Sequence, residues 1–287
     1  MKILTLGPAI VDMFMYTNEF ISRGGDIRIN KMDFGVGGSI INTVLILNKL
    51  GIASTYYTNL SDDQAGLYIR DTLSYHDIEV IYDTTNNTPI CFILVDKAGE
   101  RTMFSYTDNE FKINFDKLQR LHGDAFFMSC YEINDNNVDE LVEFLKGFPN
   151  KTFLDLSPTT KDVPLHLWQK VLPHFSVLLG TKDEFEKLLS IIGLRTTGEI
   201  INLYGAQKIF VKMGKTGSMA ITAQERQFSS SKPINVKNTT GCGDAFNAGV
   251  IIGELYGLPV LKTLAVSNEL GGFVARSGIT NLTRKGW

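Results

Sequence analysis

Asn238-Thr239-Thr240-Gly241-Cys242-Gly243-Asp244-Ala245-Phe246 is a run of small residues that delivers one carboxylate into the first turn of an apolar helix, continued by Asn247, Ala248, Gly249, Val250, Ile251 and Ile252. The first N–H groups of a helix have no partner within it and point outward as donors. The helix macrodipole adds positive charge at the same end. Glycines on either side of Cys242 let a bulky anion approach the backbone, so the amides of Gly241, Cys242 and Gly243 form a candidate phosphate cradle. A carboxylate beside a phosphate is repelled unless it acts on a neighbouring hydroxyl, as a base. Asp is also a favoured helix cap, which is the plainer reading of Asp244. The Gly-x-Gly-Asp spacing, the flanking threonines and the small-residue helix weigh toward phosphoryl transfer.

Outward from this segment, short apolar runs alternate with helix-period stretches. That is the βαβ pattern of a mostly parallel sheet with helices on both faces. Residues 2–6, 54–60, 125–130, 151–156, 175–179, 208–213 and 218–222 read as strands. Residues 39–50, 62–76, 136–146 and 183–192 read as helices, and two more follow Gly243 and Pro259. Two pieces break the alternation. Residues 14–34 scatter Phe14, Tyr16, Phe20, Ile27, Ile29, Met32 and Phe34 among polar residues. Residues 89–107 read as a hairpin about Lys97-Ala98-Gly99-Glu100. A small sheet with a bare apolar face must close over a substrate, pair with another subunit, or both. Edge hairpins of the main sheet are the alternative.

A chain of 287 residues, 44% hydrophobic and 21% charged, has room for a substantial core, and no low-complexity linker divides it. The net charge of −3 and the lack of a basic tail argue against a nucleic-acid partner. Cys91, Cys130 and Cys242 are scattered and odd in number, which fits a reducing cytoplasm better than a disulfide framework. The four histidines have no metal-ligand spacing. The N-terminus is too quickly broken for a signal peptide, and no stretch reaches membrane-spanning length, so no membrane partner is expected.

Other segments carry chemistry. Asp12 lies just past the C-terminal end of the first strand, where parallel sheets bind ligands, and its carboxylate can accept two polyol hydroxyls. Gly35-Val36-Gly37-Gly38-Ser39-Ile40-Ile41-Asn42 leads into a helix. Gly37 and Gly38 let backbone amides approach a substrate edge, and Asn42 can donate and accept toward hydroxyls. No G-x-G-x-x-G follows the first strand, which sets aside a nicotinamide-dependent oxidoreductase. Lys212-Met213-Gly214-Lys215-Thr216-Gly217 joins two strands as a tight turn.

The order of these motifs resembles the ribokinase-like (PfkB) carbohydrate kinases. The resemblance implies one domain over residues 1–287: an α/β three-layer sandwich with a mostly parallel central sheet and a small β lid formed by about 14–34 and 89–107. Homodimers through interlocked lids occur in many members. It further implies ATP-dependent transfer of the γ-phosphoryl group to a hydroxyl of a sugar or related polyol. Asp244 is then the base, with Gly241, Cys242 and Gly243 as anion hole. Asp12, Gly37, Gly38, Asn42 and Glu132 fall on the substrate side, although a solvated loop is an equal reading of Glu132. Lys212, Gly214, Thr216, Gly217 and Asn268 fall on the nucleotide side, and Glu184 organises magnesium through water. The chain departs from the family pattern at Thr181, where Asn is common, and at Asn238, where Asp is frequent. The latter removes a charge tied to monovalent-cation binding. A closing helix beyond Gly278 is expected to be short or absent. The competing readings are a nucleoside kinase of the same family and a catalytically silent metabolite-binding relative. A nucleoside would call on Phe14, Phe104 or Tyr106 to stack on its base, and a sugar phosphate on Arg28, Lys31 or Arg101 for charge.

Overall fold

The first strand, β1 (Lys2–Leu6), is buried from Ile3 onward on both faces, as only a central strand of a doubly covered sheet can be. The computed structural model describes residues 1–97, 99–107 and 111–278. From β1 the chain continues through β2 (Ile10–Tyr16), β3 (Lys31–Gly37), α1 (Ser39–Lys49), β4 (Ala53–Leu60), α2 (Gln64–Tyr75), β5 (Glu79–Thr84), β6 (Ile90–Val95) and β7 (Arg101–Tyr106). It then forms α3 (Phe115–Leu118), β8 (Ala125–Ser129), α4 (Val138–Gly147), β9 (Lys151–Asp155), α5 (Leu165–Val171), β10 (Val177–Thr181) and α6 (Lys182–Ile192). Last come α7 (Thr197–Tyr204), β11 (Lys208–Lys212), β12 (Gly217–Ile221), β13 (Arg226–Ser230), α8 (Cys242–Leu255) and α9 (Val260–Ser277).

The main sheet runs β13-β12-β11-β10-β9-β8-β1-β4-β5, parallel except for the β11–β12–β13 meander at one edge. Strand alternation splits its apolar residues between two cores. Ile3, Phe127 and Leu179 pack with Ile41 and Val44 of α1 and Ala248 and Ile251 of α8. Leu4, Leu6 and Leu178 pack with Leu141 of α4 and Trp168 of α5 on the other side. The expected three layers are present.

A second sheet of order β3-β2-β6-β7 stands apart. It is wider than the sequence reading places it, beginning at Ile10 and reaching Gly37, because β2 and β3 pair in register from Ile10↔Gly37 outward. Its base is locked to the main core through Val11 and Val36. The segment that returns from β7 is held by side chains of β4: the Asn59 amide donates to the Lys112 carbonyl at 2.8 Å and accepts from the Lys112 N–H at 2.7 Å. Tyr57 hydroxyl accepts from Asn114 N–H at 2.8 Å and donates to Asp83, which Lys117 also grips.

Besides the four-residue helix α3, four elements escape the sequence reading, each for a local reason. The edge strand β5 shows only partial burial along its length, so no apolar run marks it. Strand β13 alternates exposed and half-buried residues. Helix α5 has only seven residues and is followed by Pro173, and α7 carries Gly198 in its first turn. The strand expected at 175–179 starts at Val177, because Leu172–His174 form a 3-10 turn around Pro173. Asn268 lies on α9, the last helix among the described residues. Ala98 of the expected hairpin turn and the stretch beyond Gly278 lie outside the described residues. No helix among those residues is long and apolar enough to cross a membrane.

Helix α8, which carries Asp244, crosses α9 at glycine-mediated contact. A Cβ on Gly249 would lie 2.6 Å from the Ser267 Cα, and one on Gly253 2.5 Å from the Thr263 Cγ2. Gly249→Val must therefore wedge the helices apart. The expected cost is about 1–3 kcal/mol, read as a lower midpoint in urea unfolding with unchanged m-value.

Candidate active site

Gly241 turns the chain into α8 at φ 79°, a left-handed conformation that residues with a Cβ rarely adopt. The turn sets Asp244 in the first helical turn, and the Ala245 N–H closes back on the Gly241 carbonyl at 2.9 Å. The Cys242 N–H makes only a long contact, 3.3 Å, with the Thr239 carbonyl. Of the three amides read as an anion hole, Gly241 and Gly243 are the freer donors.

Asn42 reaches this carboxylate from α1, its side-chain amide donating to Asp244 Oδ2 at 2.8 Å across 202 residues of sequence. Thr43 Oγ1 donates to the Asp244 backbone carbonyl at 3.3 Å. Burial pushes Asp244 up to about 7, with the Asn42 hydrogen bond and the Lys212 ammonium opposing and Asp155 and Asp12 adding to the rise. The one side-chain oxygen of Asn42, Oδ1, is buried without a donor. Asp12 sits on β2 with its carboxylate over Gly37, where a Cβ would lie 2.3 Å from it. Burial pushes Asp12 up to about 6. Gly38 caps α1 at its N-terminus.

Lys212 departs from the sequence reading. Its backbone leads into the glycine turn, but its ammonium points under the α8 loop, donating to Asp155 Oδ1 at 2.7 Å and to Asn247 Oδ1 at 3.2 Å. It stands 3.7 Å from where a Cβ on Gly243 would be. Burial works against its charge, but Asp155 and Glu184 outweigh it and hold its pKa above the ordinary value. Asp155 and Asn247 escape the sequence reading. Asp155 ends a parallel strand just as Asp12 follows one, and that position was the available signal.

Glu132 is not a solvated loop residue. It ends the 3-10 turn Cys130–Glu132 and is 1% exposed. Ser129 Oγ donates to its carboxylate at 3.0 Å, and a Cβ on Gly7 would approach it to 3.5 Å. Burial pushes it up to about 8 against the Ser129 hydrogen bond.

Among the residues read as the nucleotide side, Gly214–Thr216 form a 3-10 turn between β11 and β12, with Lys215 exposed. Gly217 follows at φ 125°, and a Cβ there would meet the Ser229 carbonyl at 2.1 Å. The Asn268 amide donates to that same carbonyl at 3.0 Å, tying α9 to β13 and leaving its own carbonyl to accept. Thr181, where the sequence departs from the family pattern, caps α6. Its hydroxyl accepts from the Glu184 N–H at 3.2 Å while the Glu184 carboxylate accepts from the Thr181 N–H at 2.7 Å. One Glu184 oxygen is thus held in the cap. The charge of Glu184 still acts on Asp155 and Lys212, and carboxylate oxygens are donors of the kind hydrated magnesium prefers. No cluster of three ligating side chains for a directly bound metal occurs among the described residues.

Arg101 is placed where the sequence reading does not put it. From the tip of the small sheet its guanidinium donates to Asn238 Oδ1 at 3.0 Å, to Thr239 Oγ1 at 3.4 Å and to the Thr240 hydroxyl. All three partners are neutral, and the N-terminus of α8 behind them is positive. A guanidinium on this side of a helix N-terminus adds its charge to that of the dipole, and the two together favour an anion.

A three-layer α/β sandwich with a lid-like sheet arching onto a glycine-rich helix start is the ribokinase-like fold. Residues 1–284 match the pfkB family of carbohydrate kinases, and the chain belongs to that family. It is 25% identical over 282 residues to an uncharacterised sugar kinase of Escherichia coli strain K12, covering 95% of this chain and 88% of that protein. It is 23% identical over 293 residues to an ATP-dependent 6-phosphofructokinase of Thermoanaerobacterium thermosaccharolyticum, covering 96% and 88%. The ribokinase crystal structure from Thermotoga maritima superposes with a TM-score of 0.82 at 19% identity, covering 98% of this chain and 95% of that one.

Glu132 supplies a test of this geometry. Its folded pKa of about 8 lies above the ordinary 4.5, so its effect on stability is complete below about 4.5 and is lost as pH rises through about 8. Glu132→Gln, which cannot ionise, should melt higher than the wild type at pH 8.5. The difference should shrink as pH falls toward 5 in thermal unfolding monitored by circular dichroism.

Proposed function

We propose that this protein is an ATP-dependent kinase that phosphorylates a hydroxyl of a sugar or related polyol, using magnesium. The observation that carries this reading is the Asn42–Asp244 hydrogen bond, which brings the two glycine-rich segments to one point. Asp244 takes the proton of the acceptor hydroxyl, and its pKa near 7 suits a base that works at neutral pH. Asn42 fixes the carboxylate's orientation. Asp12 and the free oxygen of Asn42 hold further acceptor hydroxyls. The amides of Gly241 and Gly243, with Cys242, face the charge that develops on the transferred group. Lys212 adds positive field from beneath the loop, and Arg101 adds it from above. Gly214, Thr216, Gly217 and the Asn268 carbonyl line the nucleotide side. Glu184 and Asp155 would hold magnesium through its water shell, and the ion, when bound, neutralises phosphate charge. Closure of the small sheet keeps water from the phosphoryl group.

The outer half of that sheet supports a second element of the reading, a homodimer through the lid. By strand register Met13, Met15, Met32, Phe34, Phe92 and Phe104 share the face turned away from Asp12. Met32, Phe34 and Phe104 are 46–53% exposed, an apolar patch of the kind that marks an interface. Phe104→Glu should shift the wild-type dimer to monomer in light scattering coupled to gel filtration. A monomeric wild type would overturn the dimer.

The catalytic reading is tested by ADP release from magnesium-ATP over a panel of sugars, sugar phosphates and nucleosides. Asp244→Ala should lower turnover by about 10²–10⁴-fold, and wild-type turnover in that variant would refute the base. Because Asp244 must be ionised to act, kcat/KM of the wild type should fall tenfold per unit as pH drops below about 7. Arg101→Ala should lower kcat by about 10²-fold, with part of the loss restored in Arg101→Lys.

A further inference from the structure

Helix α8 carries one carboxylate at each end. Asp244 lies in its first turn and Glu254 in its last, about 15 Å apart along the axis at the usual rise per residue. A carboxylate in the last turn opposes the helix dipole. The Glu254 side chain is also only 1% exposed, so desolvation counts against it as well. Two ammoniums offset both costs. Lys151 donates to Glu254 Oε2 at 2.7 Å and Lys208 to Oε1 at 2.6 Å, so each oxygen of the carboxylate has its own cation.

The two lysines belong to strands that also meet α8 at its other end. Lys151 is the first residue of β9 and Asp155 the last. Lys208 is the first residue of β11 and Lys212 the last. At the site end, the Lys212 ammonium joins Asp155, at 2.7 Å, to the Asn247 side chain, at 3.2 Å. Asn247 and Glu254 are seven residues apart, about 20° short of two full helical turns, so both project from one face of α8. The spans agree, with about 10 Å between those two positions on the helix and about 13 Å between the ends of either five-residue strand. Helix α8 thus runs antiparallel to β9 and β11 and is clamped to both of them at both ends, across the intervening β10.

Apolar packing alone does not fix a helix this way. Ala248, Val250 and Ile251 bury α8 in the main core, but burial is non-directional and tolerates a small slide or roll. Charge-assisted hydrogen bonds are short and directional, and two of them on one carboxylate set both the rotation and the height of the helix. Buried ion clusters of this kind add little net stability over apolar side chains of the same volume, so what this one contributes is placement. Placement matters most at the other end of α8, where a shift of about 1 Å between reacting groups costs about 10²-fold in rate.

We infer that Glu254, gripped by Lys151 and Lys208, is a positioning residue for Asp244, the far clamp that holds the base-bearing helix at the height where Asp244 meets the acceptor hydroxyl. The inference rests on the kinase reading above and extends it to residues that no motif marks, at the opposite ends of the strands. Glu254 touches neither substrate nor phosphate and acts through α8. On that reading Asp12 and Asn42 hold the acceptor from β2 and α1, so loosening the far clamp leaves acceptor binding in place and slows the transfer.

The test uses the full chain with magnesium-ATP and the best acceptor of the panel. Glu254→Gln keeps the shape of the side chain and removes its charge. It should lower kcat by about 10-fold and leave the acceptor KM within about twofold. Leu141→Ala, in the opposite core, should lower the melting temperature at least as much and leave kcat unchanged well below that temperature. Amide hydrogen exchange, followed by mass spectrometry with no substrate present, should be at least about 10-fold faster through residues 245–248 of Glu254→Gln than of the wild type, and unchanged in α4. Should Glu254→Gln fail to fold, Lys151→Gln, which leaves Glu254 paired with Lys208, carries the same readouts. A wild-type kcat, an equal loss of kcat in Leu141→Ala, or exchange that is unchanged or faster only through residues 252–255 overturns the inference. The two readings fail separately. Fast exchange at the start of α8 in a protein that forms no ADP from any acceptor sinks the kinase reading alone, whereas an active kinase whose Glu254→Gln variant keeps its kcat and its exchange sinks the positioning role alone.

Discussion

A carboxylate at the start of a helix is stabilised as an anion by the dipole, and one buried among other carboxylates is not. Asp244 sits under both influences, and the hydrogen bond from Asn42 settles how its oxygens face. That bond requires α1 and α8 to lie side by side on the same face of the sheet. This in turn requires the apolar contacts of Ile41 and Val44 with Ala248 and Ile251 in one core. The close crossing of α8 on α9 through Gly249 and Gly253 completes the support. The local chemistry of one oxygen pair thus depends on three helices and the strands beneath them.

The site's charges are layered. Lys212 and the Asp155 carboxylate form a buried pair beneath the loop, Asp244 and Asp12 stand at the cleft, and Arg101 closes from the small sheet. A buried pair of this kind contributes little net stability, since desolvation consumes much of its attraction. Its value lies in keeping an ammonium fixed close to Gly243, where no flexible surface lysine could be held so steadily.

Much of this was legible in the sequence, and the exceptions share a cause. Alternating apolar runs marked the central strands, because each is buried on both faces and needs no partner to be recognised. The Gly-x-Gly-Asp turn and the Gly-Gly-x-x-x-Asn segment were legible because glycine and carboxylate positions carry local constraints. Strands β5 and β13 were hidden because edge strands are only half covered. Side-chain direction was hidden as well. Nothing local tells that Lys212 turns away from its own glycine turn toward Asp155, or that Arg101 reaches a loop 137 residues distant at Asn238. Glu132 looked like a loop residue because its neighbours Asn134 and Asp135 are polar, while its burial is set by Gly7 and Ser129.

The anchoring of the small sheet has a mechanical consequence. Its base is fixed by Val11 and Val36 in the main core and by Asn59 gripping both backbone groups of Lys112. Among the described residues, its tip is held by the exposed Arg101 contacts. A sheet held in this way would pivot like a drawbridge about its rooted end. Asp12, two residues along β2, sweeps a short arc, whereas Arg101, at the far end of β6 and β7, sweeps a long one of the order of 15–20 Å in radius at the usual rise per strand residue. On the proposed kinase reading, the half of the site that holds hydroxyls is therefore nearly preformed in every position of the bridge. On the same reading, the charge that favours phosphoryl transfer would arrive only at full descent, a sequence of events written into lever lengths rather than into any switch.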